Sequence, residues 1–188
     1  FIIEHLGANR EEVEYVNYGI LPWRNMNNAY CQAAMGYASS SNFADNNNLS
    51  KITSNAPNSL GGMFTDGWVG YGESHDEERN MYKAVAYGDG NLKKEDAHAE
   101  RMSRVPAVIA FTTLIPGPKM MWQFQELGFD FSIKSGADGV YKENENHRVD
   151  PKPQPETLGW LKDADRMDAY KRMAQLIQLR TKLYPAEF

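Results

Sequence analysis

The chain has 188 residues, 41% of them apolar, with a formal net charge of −5 at pH 7, a composition that fits one globular domain with its own core. The acidic balance argues against a nucleic-acid partner, which calls for a basic face, and no apolar run approaches the ~20 residues of a membrane span. A single cysteine, Cys31, excludes an internal disulfide.

Phe1-Ile2-Ile3-Glu4-His5 reads as a buried parallel strand with polar residues at its carboxyl end. With Phe1 in first place and no basic-plus-apolar leader, the sequence reads as starting inside a longer protein. Asn9 three residues before Glu12 is a capping pattern, and the helix it opens should run to Tyr18 and stop at Gly19. A strand over 24–26 and a helix over 28–35 follow. Residues 39–59, rich in Ser and Asn, form a long surface excursion with a helical turn around 48–54. Residues 68–74 are β-like and end in Ser74-His75-Asp76. A long helix is expected over 95–115, kinked or restarted at Pro106. Pro116-Gly117-Pro118 breaks the chain, and 119–124 reads as a compact apolar strand. After a second loop excursion over 129–155, the helix over 163–184 carries Met167, Tyr170, Met173, Ala174, Ile177 and Tyr184 at helical spacing. The order is βα four times over, which predicts an α/β fold with a parallel sheet and covering helices.

Two strand ends hold residues with chemistry. Glu4 and His5 follow the first strand, and Glu73-Ser74-His75-Asp76 follows the third. Carboxylates on separate strands suit glycosidic cleavage, where one protonates the leaving oxygen and another meets positive charge developing at the anomeric carbon. Bland readings stand beside this one. Glu4 fits a solvated turn, and Asp76-Glu77-Glu78 fits the acidic first turn of a helix. Trp23, Trp68, Trp122 and Trp160 all fit a core.

The order of these segments resembles the α-amylase family. Glu73-Ser74-His75-Asp76-Glu77-Glu78-Arg79 is similar to the family's Asn-His-Asp segment at the end of barrel strand seven, and Phe1 to His5 to its strand-five segment carrying the acid/base Glu. Ile115-Pro116-Gly117-Pro118 through Leu127-Gly128 resembles the strand-eight segment, and 166–185 the closing helix. The four span nearly the whole chain in the family's order.

The resemblance implies a partial TIM (β/α)8 barrel, roughly strands five to eight, with residues 1–188 as the C-terminal half of a catalytic domain. It implies a retaining α-glucan-active glycoside hydrolase acting on α-glucan or oligosaccharide. Glu4 is then the general acid/base and Asp76 the transition-state carboxylate, with His75, His5 and Tyr71 on the substrate. Ser74 stands where the family usually has Asn. The family's nucleophilic Asp lies in a Gly-x-Arg-x-Asp segment that does not occur here. The expected partner is therefore the missing N-terminal half, which would also hold any calcium; no cofactor is expected in this chain. An α-glucan branching enzyme or transglycosylase, a non-catalytic sugar-binding relative and an unrelated α/β domain are the alternatives. The amylase-like reading places Glu4 and Asp76 on one rim, within roughly 8 Å of each other.

Overall fold

The computed structural model describes residues 1–5, 9–37, 67–144 and 146–187. The expected helical turn around 48–54 lies outside these residues. Three short strands, β1 (Ile2–Ile3), β2 (Leu21–Asn25) and β3 (Val69–Tyr71), form one parallel sheet in chain order. Ile2 pairs with Leu21, and Trp23 to Asn25 pair with Val69 to Tyr71. Among the described residues five α-helices run between and after them: α1 (Asn9–Asn17), α2 (Asn27–Met35), α3 (Asn80–Tyr87), α4 (His98–Thr113) and α5 (Ala164–Gln178). Among the described residues no helix is long and apolar enough to cross a membrane.

The expected four-strand partial barrel is not what forms. Residues 119–124 make no strand; a single parallel bridge joins Lys119 to Gly70. Pro118 has no N–H to give, so the ladder is limited to Gly70 N–H to Pro118 O and Met120 N–H to Gly70 O. Phe124 then takes a left-handed φ of 63° and enters a 3-10 turn at Gln125–Leu127, which ends the extended run. Among the described residues the result is a three-stranded sheet with five α-helices rather than four βα repeats.

The main core is correspondingly helical. Tyr30 and Ala34 of α2, Met81 and Ala84 of α3, Met102, Val105, Val108 and Ile109 of α4, and Ala169 and Met173 of α5 pack into one cluster. That burial explains why α4 runs unbroken through Pro106, the position expected to kink it. One lost backbone hydrogen bond is outweighed by apolar contacts on both sides of it. In α5 the buried residues are Arg166, Ala169 and Met173, whereas Tyr170 lies 42% exposed. Asp163 caps this helix by accepting from the amides of Asp165 and Arg166. Two arginines then lock loops to helices. Arg166 donates to the carbonyls of Leu127 and Gly128, and Arg180 to those of Thr113, Ile115 and Gly117.

The Gly70–Lys119 bridge leaves the Lys119 ammonium donating to Pro116 O at 2.7 Å, 5.0 Å above the Trp68 ring. Burial, and then repulsion from Arg180, pushes its pKa from 10.5 down to about 8. The unfolded chain therefore holds more protons above pH 8, so stability rises with pH there. Cys31 opposes this above pH 9, because burial pushes its thiol from 9.0 up to about 12 and only the unfolded chain ionises. Urea unfolding at pH 8 and pH 9 should therefore show a gain in the wild type that Lys119→Met lacks. Equal pH dependence in the two proteins would mean that Lys119 titrates normally.

Candidate functional site

Parallel pairing brings the carboxyl ends of the three strands to one edge, and the residues just beyond them gather there. Glu4 follows β1, Asn25 ends β2, and Gly72 to Asp76 follow β3. The approach is tight: a Cβ on Gly72 would lie 2.2 Å from the Tyr30 ring, so only glycine lets the chain pass there.

Beyond Gly72 the chain makes a loop closed at its base. The Glu73 carboxylate, 1% exposed, accepts from Arg79 at 2.7 Å and from the Asn80 amide at 2.8 Å. Burial pushes its pKa up, while the Arg79 guanidinium and the Asn80 N–H pull it down. Arg79 is 3% exposed, donates also to Gln123 O, and lies 4.5 Å from the Phe129 ring centre. Within the loop, Ser74 Oγ accepts from the Asp76 amide at 3.2 Å, so Ser74 shapes the turn. Glu77 accepts from Asn25 Nδ2, and Glu78 from Ser132 Oγ and the Ile133 amide. The acidic run is thus tied down residue by residue, and it presents His75 and Asp76 outward.

These two meet Glu4. His75 Nε2 lies 3.3 Å from Asp76 Oδ1 and 3.9 Å from Glu4 Oε2. One polar atom from each of the three fits within 4.8 Å of the others, closer than the roughly 8 Å expected for the two carboxylates. All three side chains are open to solvent, at 42% to 48%. The His75 ring sits between two indoles, 5.9 Å from Trp23 and 6.2 Å from Trp122.

The remaining expected site residues are placed differently. His5 turns away toward α1, 3.5 Å from Glu11 and edge-on to Tyr15 at 5.0 Å. Tyr71 is 4% exposed and packs edge-on against Trp23, forming floor rather than a contact surface. Burial first, then Glu77 and Glu4, push its hydroxyl pKa up to about 12. Trp68 is core, against Val13 and Val16.

Arg148, which sequence reasoning passed over, lies against Asp76 as an ion pair. Its segment is anchored by Lys152, which donates to Ser135 O and His147 O at 2.6 Å each, and by His147 paired with Asp150 at 2.7 Å. A lone arginine in a polar, proline-flanked loop carries no local signal, because its partner lies 72 positions away by numbering. The Glu4, His75 and Asp76 atoms are near enough to share a cation. With the Arg148 guanidinium already on Asp76, a metal would face an adjacent positive charge. A second such group, His98, Asp163 and Asp165, is accounted for by the cap of α5 and by the 2.8 Å contact of His98 with Asp163.

Comparison with protein-family models and with curated proteins finds no match for this chain.

Proposed function

We propose that this chain carries part of the active site of an α-glucan-active retaining glycosidase, with Glu4 as general acid/base and Asp76 as the carboxylate facing the developing oxocarbenium ion. The observation that carries the reading is the meeting of Glu4, His75 and Asp76 within 4.8 Å, from strand ends about seventy positions apart, in a solvent-open setting flanked by Trp23 and Trp122. The reading rests on this edge of the sheet and needs no barrel around it. Glu4 would protonate the departing glycosidic oxygen, and Asp76 would oppose the positive charge that appears as the bond breaks. His75, held between the two carboxylates, would hydrogen-bond a sugar hydroxyl. The indoles beside it offer apolar faces of the kind that line small-molecule sites. Retention requires a nucleophilic carboxylate roughly 5 Å from the acid/base, which on this reading comes from outside the chain.

The Arg148–Asp76 ion pair favours a second reading, sugar binding without turnover, because it already compensates the charge that catalysis would use.

Both readings are tested by titrating the chain with maltotriose and following tryptophan emission. Trp23 and Trp122 flank His75, so a saturable change is expected. Hydrogen bonds to charged groups contribute ~1.5–3 kcal/mol, so His75→Ala and Asp76→Asn should each weaken binding about tenfold or more. Unchanged affinity in both variants would remove the site. The purified chain should bind without turnover. Specific hydrolysis by the purified chain that is lost in Glu4→Gln would instead place a nucleophile within the chain and overturn this reading of where it lies.

A further inference from the structure

Residues 147–150 make a tight turn against the site. The His147 carbonyl accepts from the Asp150 amide at 3.1 Å, which leaves Arg148 and Val149 at the tip. Val149 is 92% exposed, whereas the Arg148 guanidinium folds onto the Asp76 carboxylate. The oxygen it takes, Oδ1, is the one that lies 3.3 Å from His75 Nε2. We infer that this turn is an autoinhibitory strap, with Arg148 a built-in competitor for Asp76 that a ligand of the Glu4–His75–Asp76 cluster has to displace. The inference rests on the glycosidase or sugar-binding reading of that cluster.

The turn is braced from behind. Lys152 Nζ donates to Ser135 O and to His147 O at 2.6 Å each. Ser135 Oγ donates to Ser132 O at 2.7 Å, and Ser132 Oγ to Glu78 at 2.8 Å. Glu78 follows Asp76 closely in the chain, so a circuit of contacts that leaves the acidic loop at Glu78 returns to it through Arg148. Pro151 and Pro153 fix φ on either side of Lys152, and the His147 ring pairs with Asp150 at 2.7 Å. An arginine on an unbraced loop would spend conformational entropy to reach one carboxylate. This one is aimed by its own base.

The strength of the contact suits a latch that opens. Both side chains are accessible, 42% for Arg148 and 45% for Asp76, and exposed ion pairs are weak and screened by salt. The Glu73–Arg79 pair at the base of the same loop is buried, so it fixes the loop and does not exchange. A ligand hydroxyl that donates to Asp76 gains a charge-assisted hydrogen bond, which can take over from a partner that water already weakens. Until then the strap lowers apparent affinity in proportion to the molecules in which Asp76 is taken.

The test is the affinity of the whole chain for maltotriose, measured by calorimetry at low and high salt. Arg148→Gln should bind about two- to fivefold more tightly than the wild type, the span that an exposed ion pair covers. Maltotriose carries no charge, so its own contacts respond little to salt. Raising the ionic strength from about 10 mM to about 1 M shortens the screening length from ~30 Å to ~3 Å. Wild-type affinity should then climb toward that of Arg148→Gln, which should itself stay level. Lys152→Met frees the turn and should tighten binding in the wild type but not in an Arg148→Gln background, because it acts through Arg148. Affinity of Arg148→Gln equal to or below the wild type, or a wild-type affinity indifferent to salt, overturns the inference and leaves the cluster's reading standing. Absence of binding by both proteins removes the cluster's reading, and the strap's role with it.

Discussion

Glu73→Gln should be among the most destabilising single substitutions in the molecule, at about 3–5 kcal/mol, because it breaks a buried ion pair and strands one partner. Both members are nearly inaccessible, at 1% for Glu73 and 3% for Arg79. The two sides of the pair are not equivalent. Arg79 cannot shed its proton, so without Glu73 its charge stays buried with the Gln123 carbonyl and the Phe129 ring as compensation. Glu73 has an escape, because a carboxylate deprived of its cation can take up a proton and become neutral. Arg79→Met should therefore cost less than Glu73→Gln, and Arg79→Met should recover part of its loss as pH falls. The double variant Glu73→Leu with Arg79→Met should sit closer to the wild type than Glu73→Gln alone, since it leaves no unpaired charge. Urea midpoints with unchanged slopes give these values directly. A loss below ~1 kcal/mol for Glu73→Gln would show that the pair contributes little. Because Glu73 closes the loop that presents His75 and Asp76, the same variant should also weaken maltotriose binding.

How far the sequence reveals this arrangement differs from feature to feature. Glu4, His75 and Asp76 stand out in one dimension because each directly follows a short apolar run, and parallel pairing gathers such ends. Helix ends are also readable: Gly19 and Gly36 take φ near 80°, a conformation that favours glycine, and Asp163 caps α5. Helix α3 is read only as the alternative in which Asp76-Glu77-Glu78 opens a helix, because its eight residues bury just Asn80, Met81 and Ala84 and give no long apolar stripe. The same run hides the Glu73–Arg79 pair, since charges in such company are usually on the surface. Residues 119–124 mislead in the opposite sense. Their apolar character matches a buried strand, but Pro118 and the left-handed Phe124 leave room for one bridge, so the fourth strand and the barrel drawn from it do not form. The role of Arg148 depends on contacts between distant segments, and no local pattern announces it.

The largest kinetic effect is expected at Glu4, in a protein that unites this chain with the nucleophile the reading requires. Glu4→Gln should lower kcat on an unactivated maltooligosaccharide by about 100- to 10,000-fold, the range that general acid catalysis supplies. The amide keeps the shape and can still hydrogen-bond the glycosidic oxygen, but it cannot deliver a proton. The loss should therefore depend on the leaving group. With an activated aryl glucoside, whose departing phenolate needs little protonation, bond cleavage should be much less impaired. Asp76→Asn should behave differently, because it removes charge that opposes the oxocarbenium ion whatever group departs. Its loss should be similar on both substrates, and Arg148 would then face the site with no carboxylate to pair it. His75→Ala should be milder in kcat and clearer in KM, as befits a contact made in ground and transition states alike. Neither Glu4→Gln nor Asp76→Asn should shift stability by much, since both side chains are more than 40% exposed. Near-normal rates of Glu4→Gln on the unactivated substrate, or an equal loss on both substrates, would take the acid role away from Glu4.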